Sequence, residues 1–255
     1  MRKSQLFISS FSEDAIRVAR HYGLGLELDD PSYSHNLDDF STCEEQMKKE
    51  REEAGSPSVL VHGPFTELNP GGIDPRAVAL TAHRFDQAYR VCKRLGIQNM
   101  VLHSGFVPVL YEPEWHIQES IRFWKQWLAG KEAVKIVLEN VFDPDPMILR
   151  KIVEGVASPN LGICLDLGHA HAFGSKRFSE EDWIQTLSPY LRHLHIHDNG
   201  GEGDFHQSLG EGTIPYEDIF QTRELQREDL TFTLEGRRAE PDVLWLLKHG
   251  ILKKD

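Results

Sequence analysis

A chain of 255 residues, 40% hydrophobic and 27% charged, has the composition of an ordinary globular protein that can bury a sizeable core without disulfide or metal staples. Its formal net charge of −12 opposes a phosphate backbone, so nucleic acid and membrane surfaces are not the expected partners. The cysteines Cys43, Cys92 and Cys164 form no CxxC pair, Met1–Phe7 carries no apolar signal core, and no apolar run approaches the roughly 20 residues of a membrane span, so a reduced, cytoplasmic protein is expected.

Short apolar runs alternate with longer amphipathic stretches along the whole chain, the signature of a parallel sheet with crossover helices. In order, the predicted strands are Leu6–Ser9, Leu24–Leu28, Val59–Val61, Met100–Leu102, Ile136–Leu138, Leu161–Leu165, Leu191–Ile196 and Leu230–Leu234. The predicted helices between and after them are Glu13–Tyr22, Asp38–Ala54, Pro75–Leu95, Glu114–Leu128, Asp145–Val156, Glu180–Leu187, Tyr216–Thr222 and Ala239–Lys248. Ser12, Asp74 and Ser179 suit N-caps, and Pro75 and Pro113 suit first-turn positions. Eight strand–helix units without a linker predict a single (β/α)8 TIM barrel over residues 1–255.

The last six strands end on a side chain that can bind a metal: Val-Leu-Val-His62, Met-Val-Leu-His103, Ile-Val-Leu-Glu139, Ile-Cys-Leu-Asp166, Arg-His-Leu-His195 and Phe-Thr-Leu-Glu235. In a barrel all strand C-termini share one face, so these six should converge on one cavity. Clustered carboxylates repel and are costly to bury unless cations neutralise them, and mixed imidazole and carboxylate donors suit zinc, manganese or iron. Two further elements add donors: Asp166-Leu-Gly-His169, whose loop can fold back over the cavity, and Asp204-Phe-His206, whose i, i+2 spacing aims both side chains the same way in extended backbone. Asp198 is placed to orient His169 or His195, and Glu27 to bind a substrate hydroxyl. Glu202, Glu211, His35, His83, His116 and His249 read as surface residues, and the five tryptophans as packing.

The segments VHGPF (61–65), LGIQNMVLHSG (95–105), LENV (138–141), GICLDLGHAHAFG (162–174), HLHIHDNGGEGDFHQSLGEGTI (193–214) and LEG (234–236) resemble the endonuclease IV-like branch of the xylose isomerase-like TIM barrels. That resemblance implies up to three metal ions per chain. His62, His103 and Glu139 would hold the first; Glu139, Asp166, His195 and Glu235 the second; His169, Asp204 and His206 the third. Simpler isomerases and epimerases of the superfamily need only the set Glu139, Asp166, His195 and Glu235. The chain departs from the DNA-repair members where duplex-inserting loops would lie. It has GPFTELNPGG after the third strand and the acidic Leu28-Asp29-Asp30-Pro31-Ser32-Tyr33 after the second.

The leading expectation is hydrolysis of a small phosphoester or phosphodiester, since clustered metals can clamp attacking and leaving oxygens. The second is sugar or sugar-phosphate isomerisation or epimerisation, with Glu139 and Glu235 as acid and base. Abasic-site cleavage and non-catalytic binding come third and fourth. Phe65, His171, His197 and Arg237 are the candidate contacts to a small phosphorylated or sugar-containing substrate.

Overall fold

Eight parallel strands close into a barrel in chain order: β1 (Leu6–Ser9), β2 (Gly25–Leu28), β3 (Val59–His62), β4 (Asn99–His103), β5 (Lys135–Glu139), β6 (Leu161–Asp166), β7 (Leu191–Ile196) and β8 (Thr231–Leu234), with β8 pairing back to β1. This is the expected (β/α)8 architecture. The computed structural model describes residues 1–55 and 58–253; residues 56, 57, 254 and 255 of the expected domain lie outside the described residues.

Helices α1 (Ala15–Tyr22), α2 (Phe40–Ala54), α3 (Pro75–Leu95), α4 (Pro113–Trp127), α5 (Met147–Val156), α6 (Leu167–Phe173), α7 (Glu180–Leu187), α8 (Tyr216–Ile219) and α9 (Ala239–Lys248) connect or follow the strands. Asp74 and Ser179 cap α3 and α7 through their side chains, and Pro75 and Pro113 occupy first-turn positions, as the sequence predicts. Helices α3 and α4 meet through stacked Phe85 and Trp124, whose ring centroids are 5.7 Å apart. Burial of each such ring contributes roughly 1.5–3 kcal/mol.

Strand alternation sorts the side chains into two environments. On β5, Ile136 and Leu138 join the large core beneath the helices, while Val137 faces the barrel interior with Phe7, Leu60, Val101 and Cys164. Phe7 fits there because Gly25 lacks a side chain; a Cβ at that position would lie 2.4 Å from the Phe7 ring. Two residues beyond Leu60, Val101, Val137 and Cys164 come His62, His103, Glu139 and Asp166. The period of two therefore places a polar layer directly above an apolar one. Register then sets neighbours side by side, His103 opposite Glu139 and Asp166 opposite His195.

Several sequence expectations change. The segment after β6 is helix α6 rather than a folded-back loop, capped by Asp166, whose carboxylate accepts the His169 amide at 2.6 Å. The Gly168 within it hides the helical pattern. The helix predicted over Tyr216–Thr222 ends at Ile219, and the one predicted from Glu13 begins at Ala15. Ser12 does not cap that helix; its hydroxyl donates to the Gly236 carbonyl at 2.6 Å. His116 is buried against Phe106 and Tyr111 rather than exposed. His249 is half-buried on the Trp245 ring, whereas Trp115, expected to pack, is exposed. Among the described residues, no helix is long and apolar enough to cross a membrane.

Candidate metal centre and substrate cavity

All nine candidate ligands meet at the C-terminal mouth of the barrel. His62 Nε2, His103 Nε2 and Glu139 Oε2 form a nearly equilateral triangle with edges of 3.3, 3.4 and 3.4 Å. Donor atoms about 2.0–2.1 Å from a tetrahedral zinc stand roughly 3.4 Å apart, so this triangle has the dimensions of one face of such a site. The other carboxylate oxygen of Glu139 turns toward a second group. His195 Nδ1 lies 3.3 Å from Glu139 Oε1, 3.1 Å from Glu235 Oε1 and 3.9 Å from Asp166 Oδ2. Glu139 thus offers one oxygen to each group. In a third group, Asp204 lies 3.3 Å from His169 Nε2 and 3.2 Å from His206 Nε2. His206 reaches it with a left-handed backbone, φ 48°, instead of the extended one that the spacing suggested.

Four of the histidines are oriented by an acceptor on the ring nitrogen opposite the one that meets their own donor group, although His169 Nδ1 also lies 3.3 Å from Glu139 Oε1. His62, His169 and His206 place Nδ1 at 3.0, 3.0 and 2.7 Å from the carbonyls of Gly63, Asn140 and Glu235. A carbonyl only accepts, so Nδ1 carries the proton and Nε2 is left as the donor lone pair. His195 is turned the other way. Its Nε2 lies 3.2 Å from Glu27 Oε2, which also accepts from Thr233 Oγ1 at 2.5 Å, and this frees His195 Nδ1 for the cluster. Such acceptors are the usual partners of metal-binding histidines.

Charge balance supports the same fit. Glu139 Oε2 in the first group, and Asp166 Oδ2 and His195 Nδ1 in the second, are buried and have no hydrogen-bond partner among the described residues. Buried polar atoms left that way are costly, and a bound cation removes the cost. Burial by itself would raise the Glu139 carboxyl, but the His195 and His103 imidazoles outweigh it and hold the group well below the usual carboxylate range. Burial opposes protonation of His62 and His206, yet the carboxylates beside them raise both to about 9. Glu235 is pushed up to about 8, chiefly by burial.

The centre opens into a cavity of about 810 Å³. His62, His103, Glu139, His169, Asp204, His206 and Glu235 form its floor. Phe65 lines it as expected and stacks on His103 with centroids 4.4 Å apart. The other candidate substrate contacts are not among its described lining residues. His171 is held by Glu180 at 2.6 Å and Thr213 at 2.9 Å, and the Arg237 side chain is exposed. His197 is fully buried, stacked on His206, with Nε2 at 3.3 Å from Asp166 and 3.6 Å from Asp204. Gly168 makes room for that ring, since a Cβ there would lie 2.1 Å from it.

Two expected roles move. Glu27 is fully buried and supports His195 instead of lining the cavity. Asp198 orients neither His169 nor His195; its carboxylate accepts the amides of Asn199, Gly210 and Ile214 and so shapes the loop that carries Asp204 and His206. No sequence signal separates a polar residue that faces substrate from one that braces a ligand, because both recur at strand ends.

The chain is similar to known proteins over most of its length. It is 31% identical over 198 residues to an uncharacterised protein, MJ1311, of Methanocaldococcus jannaschii, covering 72% of this chain and 66% of that one. It is 26% identical over 176 residues to a probable endonuclease 4 of Mesomycoplasma hyopneumoniae, covering 63% and 62%. The matched segments thus span just under two thirds of these curated relatives. Among solved structures, a D-tagatose 3-epimerase-like protein superposes with a TM-score of 0.79 at 23% identity, covering 96% of each chain. The TTHB071 protein of Thermus thermophilus, from a crystal soaked with zinc chloride, gives 0.75 at 26% identity, covering 96% of this chain and 97% of that one. The model of the xylose isomerase-like TIM barrel family matches residues 16–249, and the chain belongs to that family.

Proposed function

We propose that the protein is a metal-dependent isomerase or epimerase of a small polyhydroxy carbonyl compound, a sugar or close analogue. The observation that carries this reading is the charge of the cavity. No lysine or arginine is among its described lining residues, and Asp29, Asp30 and Glu50 line it away from the centre. Away from the metal-binding floor, a phosphate group would meet these carboxylates with no lysine or arginine among the described lining residues, whereas hydroxyl groups can donate to them. This reverses the order expected from the sequence. The likeness to a D-tagatose 3-epimerase-like protein is consistent with the same reading.

Under this reading the reaction needs one divalent ion, held by Glu139, Asp166, His195 and Glu235, with zinc first and manganese or iron as substitutes. His62, His103 and Glu139 would hold a further ion, and His169, Asp204 and His206 another. Glu139 acts in proton transfer when one of its oxygens is free of metal. Bound there, such ions polarise the carbonyl and neighbouring hydroxyl oxygens of the substrate. Glu139 and Glu235 supply the proton transfers. Both face His195 Nδ1, within 3.3 and 3.1 Å, from strands three apart in the barrel. One carboxylate takes the proton from the carbon beside the carbonyl, and the other delivers a proton to the opposite face or to the neighbouring oxygen. Phe65 shields the His103 side of the floor from water.

Hydrolysis of a phosphodiester is the second reading, favoured by the third donor group, His169, Asp204 and His206, for which single-ion proton transfer has no need. One screen separates the two. Zinc- and manganese-loaded protein is incubated with a panel of ketoses and aldoses, followed by NMR, and with a chromogenic phosphodiester. The proposal expects interconversion of sugar isomers; metal-dependent phosphodiester cleavage with no sugar turned over would replace it with the second reading.

A further inference from the structure

The cavity is too large and too varied in character for a free monosaccharide. A single hexose, at roughly 200 Å³, fills about a quarter of the 810 Å³. Exposed apolar side chains from the loops after β1, β2 and β4, Phe11, Tyr33 and Leu110, line the cavity as well. Five of the eleven large hydrophobic side chains exposed among the described residues line this one cavity: Phe11, Tyr33, Phe65, Leu110 and Phe142. Such concentration at a concave site marks a surface kept for an apolar partner.

This wall is built, not incidental. The Asp29 carboxylate accepts from Ser9 Oγ at 2.7 Å, Ser10 Oγ at 3.1 Å and the Phe11 amide at 2.9 Å, which fixes the loop that carries Phe11. The Phe11 ring in turn approaches His206 with centroids 5.8 Å apart, so it stands where the ligand floor gives way to the apolar wall. Asp30 and Glu50 also line it, and with no lysine or arginine among the described lining residues they disfavour an anionic group.

We infer that the enzyme takes a two-part substrate, a keto-glycoside whose ketone-bearing sugar ring sits on the metal-binding floor and whose uncharged, ring-bearing aglycone sits between Phe11, Tyr33 and Leu110. The inference rests on the sugar reading of the site, and it names what the sugar carries. Ring burial against aromatic walls supplies affinity that a bare sugar lacks. A phosphate in the same place would be repelled.

Calorimetric titration of the zinc-loaded protein with paired phenyl and methyl glycosides of glucose, galactose and mannose, and with glucose 6-phosphate, tests it. The expected result is at least one phenyl glycoside bound tenfold or more tighter than its methyl partner, an advantage lost in the double variant Phe11→Ala/Tyr33→Ala, and glucose 6-phosphate bound no tighter than glucose. Equal affinities within every pair, no binding of any phenyl glycoside, or preference for the phosphate would overturn it. Binding is scored without turnover. A phenyl preference in a protein that isomerises nothing would therefore remove the proposed chemistry and leave the two-part site standing.

Discussion

Two layers of the barrel interior, two residues apart on the same strands, differ in almost every property. The lower layer, with Leu60, Val101, Val137 and Cys164, is apolar and closed. The upper layer, with His62, His103, Glu139 and Asp166, packs carboxylates and imidazoles within 3.3–3.9 Å of one another around atoms that have no partner of their own. Backbone geometry is shared, so the contrast lies wholly in the side chains. The lower layer holds the barrel closed, and the upper layer gathers charge that only bound cations make comfortable.

The sharpest way to break that comparison is to substitute the same strand at both levels. Glu139→Gln should lower turnover by roughly 10³-fold, the scale of losing a positioned acid or base, while circular dichroism and the unfolding midpoint of the metal-free protein stay close to the parent. Val137→Ala should do the reverse, costing about 2 kcal/mol of stability in denaturant unfolding and leaving turnover per folded molecule unchanged. Equal effects on activity and stability at both positions would erase the distinction between the layers.

Metal uptake should show the next largest effect. Zinc at about a thousand times its dissociation constant should stabilise the fold by roughly 4 kcal/mol, read as a rise of about 10 °C in the unfolding midpoint. The same uptake should release protons. His62 and His206 titrate near 9 in the metal-free chain, so both are protonated at pH 7 and must lose their protons to bind an ion. Affinity should therefore climb with pH up to about 9 and then level. Calorimetry in buffers of different ionisation enthalpy measures the release, and a pH-independent affinity would contradict the assignment of these histidines as ligands.

A smaller effect belongs to Glu27, which is not among the described residues lining the cavity but fixes which nitrogen of His195 faces the cluster. Glu27→Gln should weaken one class of bound ion by roughly 10- to 100-fold and leave the others in place. Metal titration with a chromophoric competitor distinguishes this from a general loss of fold, in which every class would weaken together.

The barrel and its ligand layer are legible in the sequence for one physical reason. A buried parallel strand is an apolar run, and where such a run stops on His, Asp or Glu, the barrel brings that residue to the common mouth. His62, His103, Glu139, Asp166, His195 and Glu235 all follow this rule. Helix α6 does not, because Gly168 interrupts the pattern and is there to admit the His197 ring. Burial of His116 and the supporting roles of Glu27 and Asp198 are also hidden, since they depend on which element packs on which rather than on any local period. The charge of the cavity falls between. Asp29 and Asp30 are plain in the sequence, but the absence of a lysine or arginine beside them among the described lining residues is a fact of the folded surface.

Deuterium exchange tests the central claim most directly. The metal-loaded protein is incubated with candidate sugars and keto-glycosides in deuterated water, and the carbon beside the carbonyl is followed by NMR. The account predicts metal-dependent deuterium incorporation at that carbon, lost in Glu139→Gln and in Glu235→Gln. Isomer interconversion without any incorporation, or incorporation that survives both substitutions, would contradict it.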